Sequence, residues 1–242
     1  MKYMKLHRHK DIHKVLAKRE KKEDIVTKLI RICLTGPHIA LLFEFYFFVI
    51  LKGKIEGIEN IPDGACIMAF NHESYLDWLL TFHIFHKKYR KKINFLAKYK
   101  LYRNPVWRIY LNYSGAIIID GKNTSVIRNA FTTIRKRIAA GEIIGIFPEG
   151  TRTGNGKLQE GRPGIASLVI STKAPIIPVA LKGFYEAWPR HKLIPGRAQC
   201  TIKIGKPIDF QILPSINKKE RLKYITDHIM EKIKETINEI KR

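Results

Sequence analysis

Two side chains that together could move a proton stand five residues apart in Asn71-His72-Glu73-Ser74-Tyr75-Leu76-Asp77. An imidazole that accepts a proton is a general base, and a carboxylate on its other nitrogen fixes the tautomer and stabilises the imidazolium that forms. On one continuous helix, five residues turn through about 500°, which leaves the two side chains about 140° apart. They face each other only if His72 lies in a turn and Asp77 lies on the helix that follows. Ser74 as N-cap with Asp77 at N3 supplies that break, and the helix dipole favours a neutral ring at this end. The same Ser74-x-x-Asp77 spacing is a capping box, so the heptapeptide alone leaves a structural turn and a base–acid pair both open.

The flanking segments set the pair at a strand end. Ala65 to Phe70 is an apolar run that reads as a buried strand, and Trp78-Leu79-Leu80-Thr81-Phe82 as the first turns of a helix. The strand-to-helix junction is where open α/β sheets bind ligands. A second such junction follows Ile143-Ile144-Gly145-Ile146-Phe147, which runs into Pro148-Glu149-Gly150-Thr151-Arg152. Glycine lets backbone N–H groups approach a ligand, and arginine grips phosphate with two parallel hydrogen bonds. Lys157 and Arg162 continue this glycine-rich, cation-bearing loop to Gly164, the composition of a phosphate cradle. Neither a Gly-x-x-x-x-Gly-Lys-[Ser/Thr] loop nor a Gly-x-Ser-x-Gly elbow occurs. With no protein nucleophile to activate, His72 is expected to deprotonate a substrate group such as a hydroxyl. No third ligand stands at metal-site spacing from His72 and Asp77, so no metal is expected.

Further strands are expected at 93–97, followed at once by Lys98, and at 114–119, 176–181 and 201–204. Helices are expected at 124–140 and 163–172 and along the C-terminal stripe Leu222, Ile225, Ile229, Ile233, Ile237 and Ile240, whose 3.6-residue period marks a packing face. The expected fold is α/β, a central mostly parallel sheet flanked by helices, over residues 53–242.

Residues 1–52 differ in composition. Residues 1–31 hold eleven Lys/Arg against four acids, in a chain of 45 Lys+Arg and 21 Asp+Glu with net charge +24. Such a balance calls for an anionic partner. The apolar stretch Leu29–Leu51 is broken by Gly36-Pro37, and its clean part, His38–Leu51, reaches about 21 Å as a helix, short of a hydrocarbon core of about 30 Å. We therefore expect an N-terminal membrane-inserting helical pair, half-sunk in one leaflet beside a basic arm. A secretory signal is not expected, because no small-residue cleavage site is present and the apolar stretch starts late. The aromatics cluster at 43–48 instead of alternating with basic residues, which argues against nucleic acid as the partner. Cys33, Cys66 and Cys200 form neither a disulfide framework nor a Cys-x-x-Cys pair, as in a reducing compartment.

Asn71-His72-x4-Asp77 followed by Phe147-Pro148-Glu149-Gly150-Thr151-Arg152 resembles the glycerophospholipid acyltransferases of the PlsC type, the 1-acylglycerol-3-phosphate acyltransferases. The resemblance covers roughly residues 53–210 and includes Ala174-Pro175-Ile176-Ile177-Pro178-Val179. It implies transfer of an acyl chain from acyl-CoA or acyl carrier protein, with no cofactor, to the sn-2 hydroxyl of lysophosphatidic acid, giving phosphatidic acid. It implies a monotopic enzyme on the cytoplasmic face of the cell membrane. Glycerol-3-phosphate or another lysophospholipid is the alternative acceptor. By position, His72 would be the base and Asp77 its orienting partner. Glu149, Gly150, Thr151 and Arg152 would line the acceptor site with Arg152 on the phosphate, Lys98 would be a further phosphate ligand, and a backbone N–H near Gly150 would meet the oxyanion. The chain departs from the family where an arginine ordinarily ends the second block. Here Ile119-Asp120 is followed by Gly121, and Lys122 offers a point charge in place of a fork. That departure bears on the acceptor headgroup more than on the chemistry.

Overall fold

A computed structural model describes residues 37–121, 123–208, 210 and 216–241. Seven strands form one sheet in the order β1-β7-β6-β2-β5-β3-β4: β1 Lys54–Glu56, β2 Ile67–Phe70, β3 Ile93–Lys98, β4 Ile117–Ile119, β5 Ile143–Ile146, β6 Ile176–Lys182 and β7 Thr201–Ile204. Every pairing is parallel except β6 with β7. The expected α/β fold with a mostly parallel sheet is the fold observed. Near-continuous apolar runs make the central strands β2, β5 and β6, which are buried on both faces.

Alternation along β2 serves the two faces. Met68 and Phe70 enter a core built with α1 (Pro37–Phe45), α2 (Leu76–Lys87) and α4 (Pro105–Tyr113), while Ile67 and Ala69 enter the opposite core. That second core is closed by α5 (Thr124–Ala139), α6 (Gly164–Thr172) and α8 (Lys218–Asn238). The expected stripe of α8 packs as read, with Ile225, Ile229 and Ile233 fully buried. Two one-turn helices, α3 (Tyr99–Tyr102) and α7 (Phe184–Ala187), follow β3 and β6.

Some boundaries differ from the sequence reading. The strand expected at 114–119 starts at Ile117, because Ser114–Ala116 close the end of α4. Neither β1 nor α4 was expected. The start signal of α4 is nevertheless written in Asn104-Pro105: the Asn104 side chain accepts the N–H groups of Val106 and Trp107, with proline in the first turn.

Of the expected N-terminal helical pair, residues 29–36 and the basic arm 1–31 lie outside the described residues. The described part, α1 continued by a π-helical turn Tyr46–Ile50, is two-faced. Ala40, Phe47 and Leu51 are buried, and the Phe43 ring stacks on His83 of α2 at 4.6 Å. Leu41, Leu42, Phe45 and Val49 form an exposed stripe on the other face. Among the described residues no helix is long and apolar enough to cross a membrane.

The topology places the site. The chain leaves β2 for β3, returns to insert β5 between them, then crosses to β6 on the other side of β2. The carboxyl ends of β2 and β5 are thus neighbours at a switch point of the sheet. Their register pairs Ala69 with Ile146, so the two loops leave the sheet at the same level.

Candidate active site

Helix α2 begins at Leu76, leaving His72 in the preceding turn as the spacing requires. Ser74 does not cap in the expected register; its hydroxyl accepts the Leu76 N–H at 3.2 Å and donates to the Trp188 carbonyl at 2.9 Å. Asp77, fully buried, reaches back out of the first turn. Its Oδ2 accepts the N–H groups of Glu73 at 2.7 Å and Ser74 at 2.8 Å and stands 2.7 Å from His72 Nδ1. The Asp77 half of the capping box and the contact with the imidazole are therefore made by one oxygen. An oxygen already accepting two backbone N–H groups takes a third donor, so the proton of the ring sits on Nδ1 and the lone pair on Nε2. The carboxylate's other oxygen, Oδ1, is buried without a hydrogen-bond partner among the described residues.

The ring of His72 lies flat on Phe147, centroids 4.0 Å apart, and is 17% exposed at the side chain. Phe147 is held by Phe95 and Phe70, and Phe95 fits because Gly145 of β5 has no side chain to meet it. Burial lowers the His72 pKa to about 3; Glu149 acts in the opposite direction, and Arg152 and Lys98 reinforce the lowering. The imidazole is neutral at physiological pH.

Glu149 joins the two motifs. Its Oε1 accepts the His72 N–H at 2.7 Å, and its Oε2 accepts both the N–H and the side-chain amide of Gln159. The carboxylate points inward and is nearly fully buried, and burial raises its pKa. The Thr153 N–H donates to the His72 carbonyl at 2.8 Å, a second tie between the loops. The Thr151 carbonyl accepts the Gln159 amide. Gly150 turns the chain with φ +67°, and a Cβ there would stand 2.8 Å from Arg162 Nε, which donates to the Glu149 carbonyl. The N–H of Gly150 itself is bonded to the Phe147 carbonyl at 2.9 Å. An oxyanion donor near Gly150 would therefore be a backbone N–H other than this one.

Four cations share the mouth of the site. The Arg152 guanidinium lies 3.5 Å over the Tyr75 ring, a cation–π contact that fixes it beside the histidine turn. Lys98, at the end of β3, is held below its ordinary pKa by burial and by the charges of Arg162, Arg190 and Arg152. Arg152 is lowered by burial first, and Arg190 adds to it. Like charges pressed together in this way form a site for an anion. Lys122, which follows Gly121, lies outside the described residues. No group of three His, Cys, Asp or Glu suited to a metal occurs among the described residues.

A family model described as Acyltransferase matches residues 52–182. The chain belongs to the acyltransferase family. A 1-acyl-sn-glycerol-3-phosphate acyltransferase of Bacillus subtilis is 31% identical over 192 residues, 77% of this chain and 89% of that protein. One of Borreliella burgdorferi is 28% identical over 188 residues, 77% of this acyltransferase and 73% of its relative. The crystal structure of the 1-acyl-sn-glycerophosphate acyltransferase PlsC of Thermotoga maritima shares the fold with a TM-score of 0.64, covering 94% of this chain and 89% of that one at 23% identity.

In this acyltransferase His72 and Asp77 follow β2, Lys98 ends β3 and Glu149–Arg152 follow β5, so these residues gather at the carboxyl ends of three parallel strands on one rim of the sheet, whereas Ala174–Val179 leads into β6 from the opposite end. Sequence reasoning missed four contributors. Phe147 and Tyr75 were inside the motifs but unassigned, and an aromatic beside each reactive group was the available signal. Gln159 and Arg190 carried none, since only the folded loops return them to the site.

Proposed function

We propose that this acyltransferase moves an acyl chain from a coenzyme A or carrier-protein thioester to the sn-2 hydroxyl of lysophosphatidic acid, giving phosphatidic acid at a membrane surface. The observation that carries the reading is the 2.7 Å contact of His72 Nδ1 with Asp77, which leaves Nε2 as acceptor beside a cluster of cations. Nε2 takes the hydroxyl proton as the oxygen attacks the thioester carbonyl. Collapse of the tetrahedral adduct breaks the C–S bond, and the proton passes from the imidazolium to the departing thiolate. Asp77 stabilises the imidazolium in between; a base so placed contributes a factor of about 10² to 10⁴.

Arg152, Arg162 and Lys98 hold the acceptor phosphate, with Arg190 closing the ring of charge. Glu149 acts by fixing the turn that carries His72, and Gly150 and Thr151 shape the loop. The names of the relatives support lysophosphatidic acid as acceptor. The exposed stripe of α1 and the excess of 45 Lys+Arg over 21 Asp+Glu support a monotopic seat on an anionic leaflet. A thioester donor would support the cytoplasmic face of the cell membrane for that seat.

The test is acyl transfer by the purified full chain, with defined acyl-CoA and acyl carrier protein offered against lysophosphatidic acid, glycerol-3-phosphate and lysophosphatidylcholine. Turnover fastest with lysophosphatidic acid is expected. Preference for another acceptor would overturn the substrate, and Gly121 in place of an arginine is the residue that would then account for it.

A further inference from the structure

The two most exposed large apolar side chains of the described residues are neighbours far from the N-terminal helix in sequence: Leu193, 94% exposed, and Ile194, 76% exposed. They cap a loop of residues 188–195 that is closed at its base and internally bonded. The Gly196 N–H donates to the Ala187 carbonyl at 2.7 Å, the Trp188 indole N–H to the Lys192 carbonyl at 3.0 Å, and the Lys192 N–H to the Pro189 carbonyl at 3.1 Å. A loop so built presents its tip instead of folding the apolar pair inward. Lys192 and Arg197 flank the tip, and residues 187–199 contain no acid.

This loop is fastened to the apolar helix. The hydroxyl of Tyr46, the residue after exposed Phe45, donates to the Gly196 carbonyl at 2.6 Å, and the Cys200 N–H donates to the Leu51 carbonyl at 3.0 Å. Its base also reaches the site. The Trp188 carbonyl accepts the Ser74 hydroxyl, and the Trp188 ring lies 5.7 Å from Tyr75, on which Arg152 rests.

We infer that Leu193 and Ile194 form a second membrane anchor, inserting into the anionic lipid surface that receives the stripe of α1, with the flanking cations on lipid headgroups. The inference rests on the membrane seat proposed above and extends it to a surface that the N-terminal segment does not supply. Apolar side chains sunk at an interface and cations over anionic headgroups add their effects. Two anchors on different elements, joined through Tyr46, fix the tilt of the enzyme on the bilayer. The anchor beside Trp188 sets the mouth of the site against the leaflet that holds the acceptor.

The test is co-sedimentation of the full chain with vesicles of phosphatidylcholine and phosphatidylglycerol at 7:3, compared with phosphatidylcholine alone. Leu193→Ser/Ile194→Ser, which keeps every charge, should bind the mixed vesicles about tenfold more weakly or worse. Its thermal unfolding and its turnover of short-chain substrates dispersed below aggregation should be unchanged. In Leu193→Trp, added indole fluorescence should be quenched by brominated acyl chains. Wild-type binding by the serine variant, or an unquenched indole, would overturn the inference. Unchanged vesicle binding with turnover lost only on a carrier-protein thioester would assign the tip to that acidic protein instead and equally overturn it. Wild-type turnover is scored separately: its absence refutes the proposed reaction, while vesicle binding decides the loop.

Discussion

The backbone N–H of His72 donates to the side chain of Glu149 at 2.7 Å, so the carboxylate of one motif sets the position of the imidazole in the other. The same carboxylate is held from behind by both nitrogens of Gln159. The second motif thereby positions the imidazole as well as carrying Arg152. Glu149→Gln turns one acceptor into a donor facing other donors in a buried place. We expect a loss of about 1–3 kcal/mol in stability, read by thermal unfolding, with kcat falling more than the acceptor KM rises. A variant with wild-type melting and kcat would contradict the clamp.

Asp77→Asn tests the charge behind the ring. One oxygen, Oδ2, meets the ring and the Glu73 and Ser74 N–H groups, so the asparagine oxygen takes that place and leaves the ring proton on Nδ1, facing a neutral acceptor that stabilises the imidazolium less. The expected result is a folded protein with kcat lowered by about 10² to 10⁴. Nitrogen chemical shifts of His72 should report the proton on Nδ1 in both proteins.

The pH dependence follows from the lowered pKa of His72, about 3. A base must be unprotonated to act, and a group with that pKa stays unprotonated as the pH falls from 7 to 5. With acceptor saturating, kcat should show no inflection at the ordinary histidine value of about 6.5. Stability has its own sign. The unfolded chain binds a proton at His72 below about 6.5 that the native state refuses, so this contribution is fully present above that pH and is lost as the pH falls towards 3. His83, buried against Tyr110 and lowered to about 4, adds in the same direction. Glu73, Asp77 and Glu149, raised by burial, act in the opposite direction, so the check compares the change in denaturant midpoint from pH 7 to 4 in wild type and in His72→Ala; equal changes would contradict the His72 contribution.

Arg152→Lys keeps the charge and removes the fork and the flat face that lies on Tyr75. We expect the acceptor KM to rise about tenfold or more, from the loss of a bidentate contact of roughly 1.5–3 kcal/mol, with the thioester KM unchanged. An equal rise in both constants would remove Arg152 from the acceptor phosphate.

Much of this architecture is legible in the chain because parallel strands are buried on both faces. Ile143–Ile146 and Ile67–Phe70 declare themselves as apolar runs, and each hands over directly to polar chemistry. Local geometry required His72 to precede the helix, and it does. The dual use of Asp77 was not decidable from spacing, since a capping box and a base–acid pair need the same residues. Helix α4 was overlooked despite its Asn104-Pro105 start, as Arg108 and Asn112 dilute its apolar stripe. Arg190 was invisible because its place depends on a loop tied to Ser74, more than a hundred residues earlier in the chain. The tight turn that puts the φ of Gly150 at +67° also consumes its N–H, a detail that composition and spacing do not carry.

The central claim is that His72 removes the proton from the acceptor hydroxyl, and the most direct measurement is single-turnover acyl transfer by His72→Ala against wild type. Substrates should be saturating, and folding should be checked by thermal unfolding. The account predicts a folded protein whose transfer rate is lower by about 10² or more. A folded variant that transfers within a few fold of wild type would contradict it.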